Sequence, residues 1–63
     1  MSHNRIKELR KRRGLTQMEL SKISEVGRAT IAALETGKRP RIRKGTREKL
    51  ARALKVKPHE LGE

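Results

Sequence analysis

Apolar residues recur along this chain at the three- and four-residue spacing of helices, in short groups separated by polar turns. Residues 2–13, SHNRIKELRKRR, carry a narrow stripe of Ile6 and Leu9, with Arg10 one turn on from Ile6 and near the same face. This predicts a first helix capped by Ser2 or Asn4 and closed by Gly14, a residue that takes positive φ at little cost. Lys11, Arg12 and Arg13 fall in its last turn, where the negative end of the helix dipole favours cations.

The second helix has stronger local chemistry. Thr16-x-x-Glu19 is a capping box, and Leu15 and Leu20 bracket it at the spacing of a hydrophobic staple, which fixes the entry angle of the chain. The same spacing recurs at Val26 and Ile31 around Gly27, and at Val56 and Leu61 around Lys57. The last start also has Pro58 at N1 and Glu60 at N3. Two helical patterns, Gln17 to Ile23 and Arg28 to Thr36, are thus separated by Ser24-Glu25-Val26, and Gly37 follows the second. This predicts a helix-turn-helix over about residues 17–36, with Val26 filling the angle. A tight helix–helix turn commonly needs a residue at positive φ, which costs a non-glycine about 1–2 kcal/mol. Either Glu25 bears that strain or the turn is reshaped around Gly27.

At 100° per residue the third helix turns Ile31 and Leu34 inward and Ala29, Ala32, Ala33 and Thr36 outward, with Arg28 and Glu35 on a flank between. Glu35 is therefore expected to be partly buried. A buried carboxylate needs a partner, and Arg10 on the core-side flank of the first helix is the candidate. Residues 38–44, KRPRIRK, form a basic loop that Pro40 keeps from continuing the helix and that Ile42 tacks to the core. Thr46, after Gly45, is the expected N-cap of a fourth helix with Leu50, Ala53 and Leu54 on its inner face, and a single turn, Pro58 to Leu61, ends the pattern. The expectation is all-α: one domain over residues 1–63, a compact bundle of five short helices.

Composition narrows the function. With 63 residues and no Cys, Trp, Tyr or Phe, the core must come from Ile, Leu, Val, Met and Ala, and disulfides and cysteine zinc sites are excluded. Eighteen Lys and Arg against seven Asp and Glu give +11, which makes a polyanion the first partner to consider. The longest apolar run, Ile31 to Leu34, is far too short to span a bilayer, and the basic start is not followed by a signal-peptide core, so a cytoplasmic protein without membrane partners is expected. The histidines, His3 and His59, lie in terminal regions without clustered carboxylates. No catalytic site, metal site or cofactor is expected, and the chain is not read as an enzyme.

In their order and spacing, Gly14-Leu15-Thr16-Gln17, Glu19-Leu20, Val26, Thr30-Ile31, Leu34-Glu35, Gly37-Lys38, Leu50-Ala51, Ala53-Leu54 and Val56 resemble the phage repressor and Cro type of helix-turn-helix regulators, also called xenobiotic-response-element regulators. The resemblance covers nearly the whole chain. It implies a lambda-repressor-like fold whose third helix enters the major groove of double-stranded DNA, and a transcriptional regulator, in the first instance a repressor, that binds as a homodimer and lies on the nucleoid when bound. By that resemblance Gln17 holds a phosphate, and Arg28, Ala29, Ala32 and Ala33 approach base edges. Lys38, Arg39, Arg41 and Arg43 run along phosphates, and Arg10 and Glu35 form a buried salt bridge.

The sequence departs from the pattern at three positions. Glu25 replaces the usual turn glycine, Gly27 the usual Ser or Thr cap, and Lys55 the glycine after the fourth helix. The loop after Gly37 also looks one or two residues longer. These departures bear on the angle of the third helix and on local stability. The competing expectation is a protein-interaction module of the same fold, such as an antitoxin or adaptor, for which an acidic partner would match the charge and the alanine face would admit a partner helix.

Overall fold

A computed structural model describes residues 4–62. The order is α1 (Ile6–Arg12), α2 (Gln17–Ser24), α3 (Arg28–Thr36), α4 (Lys44–Leu54) and a closing 3₁₀ turn, η1 (Pro58–Leu61). The five expected helices are therefore four α-helices and one 3₁₀ turn. The body is nearly isotropic, 22 × 21 × 20 Å. Helix α2 packs on α3 and α4, α1 bridges α3 and α4, and η1 lies against α4.

The three staples supply much of the core. Leu20, Ile31 and Leu61 are fully buried, Val26 nearly so, and Leu15 and Val56 pack against the cluster that also contains Ile6, Leu9, Leu34, Ile42, Leu50, Ala51 and Leu54. At Thr16 both halves of the capping box are formed: its Oγ1 accepts from Glu19 N at 3.1 Å, and Glu19 Oε1 accepts from Thr16 N at 2.8 Å. At η1 Glu60 Oε2 accepts from Lys57 N at 2.7 Å.

Several local expectations need correction. Helix α1 is shorter than residues 2–13. Asn4 Oδ1 accepts from Ile6 N at 3.1 Å, while Ser2 and His3 lie outside the described residues. Asn4 also donates from Nδ2 to Leu34 O at 2.9 Å and pairs with Gly62 in an antiparallel bridge, so one residue ties the start of α1 to the end of α3 and to the last described residue. Helix α4 does not start at Thr46. Extended Arg43 is its N-cap, without a side-chain cap, and Gly45 and Thr46 lie in the first turn. Its inner face is Leu50, Ala51 and Leu54, with Ala53 only half-buried. Arg13 serves a different helix from its own: its Nε donates to Leu54 O at 3.0 Å, satisfying a carbonyl at the C-terminus of α4.

Two helices end on left-handed residues that are not glycine. Glu25 closes α2 at φ 62°, donating its N–H to Ser21 O at 2.9 Å, and Lys55 closes α4 at φ 58°. Gly27 has an ordinary φ of −57°, so the strain of the turn falls on Glu25. Replacing Glu25 or Lys55 by Gly removes about 1–2 kcal/mol of left-handed strain, and part of that gain is offset by the freer unfolded chain. Each substitution is expected to stabilise by about 0.5–1 kcal/mol and raise Tm by several degrees in a circular-dichroism melt. An unchanged or lowered Tm for both variants would contradict the strain.

Candidate nucleic-acid interface

The candidate surface begins at α3. Its nine residues span about 13 Å, close to the width of the B-DNA major groove at about 12 Å. Ile31 and Leu34 lock the inner face. On the outer side Arg28, Ala29 and Thr36 are exposed, while Ala32 and Ala33 are half-buried. The first turn therefore protrudes most, and Arg28 is its long donor. Gly27 supplies no side-chain cap to this helix.

Behind α3 lies the strongest polar constellation in the molecule. Arg10 and Glu35 are both buried, and their side chains form a two-pronged ion pair, Nε to Oε2 at 2.7 Å and Nη2 to Oε1 at 3.0 Å. Arg10 Nη1 also donates to Leu15 O at 2.7 Å. Gln17, half-buried at the first position of α2, donates from Nε2 to Glu35 Oε1 at 3.1 Å. The network thus joins α1, α2 and α3 and sets the start of α2 against the end of α3. Burial pushes the Glu35 carboxyl up. The hydrogen bonds from Arg10 and Gln17, with the charges of Arg10 and Lys7, outweigh that and leave it below the usual carboxylate value. The same pair raises Arg10, mainly through the hydrogen bond to Glu35.

The basic loop is fixed at both ends. Arg39 N donates to Ala33 O at 3.1 Å, and Ile42 is buried. Lys38, Arg39, Arg41 and Arg43 are all exposed. Among the described residues none of these four, nor Arg28, has a carboxylate partner; the ion pairs use Arg5, Arg10 and Arg12. The first turn of α4, which follows the loop, contains no acidic residue. The surface around α3 thus holds cations whose charge nothing in the described molecule neutralises.

Compared with known families, residues 4–63 match the model of the helix-turn-helix domain. The chain belongs to the helix-turn-helix domain family. No curated protein and no solved structure matches it at a significant level. Within the helix-turn-helix, α2 is the supporting helix and α3 the helix presented outward, and Glu25 is the left-handed pivot between them.

From the sequence, Gln17 is expected at the start of the second helix as a phosphate contact, and its bond to Glu35 is not anticipated. The signal was present: Gln17 opens the first turn of a well-capped helix whose fully buried Leu20 fixes which way position 17 turns. The structure brings Gln17, Arg10 and Glu35 together, and it leaves Arg28, Ala29 and the loop cations exposed. Among the described residues no group of His, Asp and Glu is placed to hold a metal ion, His59 is exposed, and no helix is long and apolar enough to cross a membrane.

Removing one partner of the buried pair leaves the other charge stranded. Glu35→Ala is expected to cost about 3–5 kcal/mol, comparable to the whole stability of a domain this small, and the paired replacement Arg10→Met with Glu35→Leu should recover most of it. Because the folded Glu35 carboxyl is held below its unfolded value, its stabilisation is full above the ordinary carboxylate range. It is lost as pH falls below about 4. Denaturant melts should show wild type well above Glu35→Gln at neutral pH, with the gap closing in acid; a gap independent of pH would contradict a charged Glu35.

Proposed function

We propose that this helix-turn-helix domain, acting as one unit over residues 1–63, is a sequence-specific double-stranded-DNA-binding transcriptional regulator of the phage repressor and Cro type, acting as a repressor and binding as a homodimer. The observation that carries this reading is the outward face of α3 flanked by Arg28 and by an anchored loop of cations without internal partners. In the proposed complex α3 lies in the major groove and the loop follows the phosphate backbone.

The two parts contribute differently. Lys38, Arg39, Arg41 and Arg43 neutralise phosphates and release condensed counterions, which supplies affinity for any duplex. Gln17 contributes a phosphate contact through the parts of its carboxamide not held by Glu35. Base reading falls to the first turn of α3, where Arg28 can donate two hydrogen bonds to guanine O6 and N7, and Ala29, with Ala32 and Ala33 deeper, can contact thymine methyl groups. Alanines make no hydrogen bonds to base edges, so discrimination rests on Arg28, methyl contacts and DNA shape.

The roles separate experimentally. Selection of bound duplexes from a random pool should yield a motif with two half-sites about one helical turn apart. Arg28→Ala is expected to relax preference at one base pair by about 1–3 kcal/mol, whereas Arg41→Ala should weaken all sequences alike and reduce the salt slope by about 1. Equal losses on selected and random DNA for both variants would overturn the division of roles. Absence of duplex binding at low salt would overturn the DNA reading and favour a protein partner.

A further inference from the structure

Between the C-terminal end of α2 and the outer face of α4 lies an open groove of about 660 Å³ whose lining includes none of Lys38, Arg39, Arg41 and Arg43. Ala53 and Ser24 are in its lining, and beside them Ile23 is 56% exposed. Its polar lips carry Glu25 and Glu48 together with Lys49, Arg52 and Lys55.

The acids of this groove stand apart from the others. Glu8 is paired with Arg5 and Arg12, Glu19 and Glu60 are committed to helix caps, and Glu35 is held by Arg10. Among the described residues Glu25 and Glu48 are the carboxylates left with neither an ion pair nor a hydrogen bond, and both border the exposed Ile23. Glu48 and Arg52 sit one turn apart on α4 without pairing to each other.

We propose that this groove seats the same groove of a second copy of the chain in a two-fold contact. Copies of a chain at +11 repel one another, and contact is favoured where free carboxylates can meet cations. Antiparallel apposition of two α4 helices sets each Glu48 against Arg52 of the other copy, and two-fold symmetry repeats that pair. Ile23 of each copy is then covered. A partner of a single sign would meet like charge on part of the lip, whereas a second copy brings both signs in matching order.

The groove is lined by nine residues, against about 20–30 a side in a stable interface, so the contact is weak in free solution. It strengthens where two copies are already held close, as on neighbouring half-sites of one duplex, because proximity raises their effective concentration. The contact extends the homodimer of the proposed function by assigning it a surface, and its test uses no DNA, so the two readings fail separately.

The test is a dilution series of the full chain followed by amide nuclear magnetic resonance, with sedimentation on the same samples. Concentration-dependent shifts are expected at Ile23, Gly45, Glu48 and Arg52. Glu48→Arg places like charges across the axis twice and should weaken self-association by more than about tenfold. The double variant Glu48→Arg with Arg52→Glu keeps the wild-type net charge and should restore it. Shifts absent at every concentration, confined to another face, or unaffected by Glu48→Arg would overturn the proposal, as would failure of the double variant to regain association while it remains folded.

Discussion

The arrangement of the first three helices depends on one buried carboxylate. Glu35 comes from α3, its guanidinium partner from α1 and its carboxamide partner from α2, while the same guanidinium reaches the backbone of Leu15 just before α2 begins. An apolar cluster without aromatic side chains is compatible with many small rotations of its helices. A two-pronged ion pair with a third donor is not, because each bond tolerates only narrow ranges of distance and angle. The network therefore selects one relative placement of the helices that frame the outward face of α3. It adds specificity of arrangement more than net stability, since the desolvation of both charges offsets much of their attraction.

Around that centre the fold is closed by bonds between residues far apart in the chain. Asn4 holds the carbonyl of Leu34, Arg5 N donates to Leu61 O at 2.8 Å, and Arg13 satisfies the carbonyl of Leu54. These contacts compensate for a small core: backbone groups at helix ends that would otherwise depend on water are paired across the bundle. Against them stand two left-handed residues with side chains, Glu25 and Lys55, each at the end of a helix whose packing elsewhere is tight.

The sequence made the helices legible wherever a short-range device marked them. The capping box and staple at Leu15–Leu20 located α2 within a residue, and the repeat of that spacing located α3 and η1. Helix α4 shows where such reading stops. Its N-cap, Arg43, uses backbone geometry alone and leaves no side-chain signature, so Thr46 was the more persuasive start. Its inner face was ambiguous for a geometric reason. Ala51 and Ala53 lie about 80° to either side of the Leu50–Leu54 stripe, and only the packing of the other elements on α4 decides that Ala51 is the one fully covered. At the candidate interface, the Arg10–Glu35 pair followed from helix faces, but Gln17 as the third member needed the relative height of α2 and α3. The bonds of Asn4 and Arg13 cross 30 and 41 positions of sequence, and no local pattern encodes them.

The exposed first turn of α3 separates what this chain folds with from what it presents. Arg28 and Ala29 are exposed and lie outside the buried core, and Gly27 before them has an ordinary φ and room for a side chain, with Thr30 Oγ1 3.8 Å from where a Cβ would stand. Substitution at these three positions disturbs neither the apolar cluster nor the Glu35 network. The architecture is thus modular at the scale of single residues: the scaffold can stay constant while the surface of its leading turn diversifies, with little thermodynamic coupling between the two.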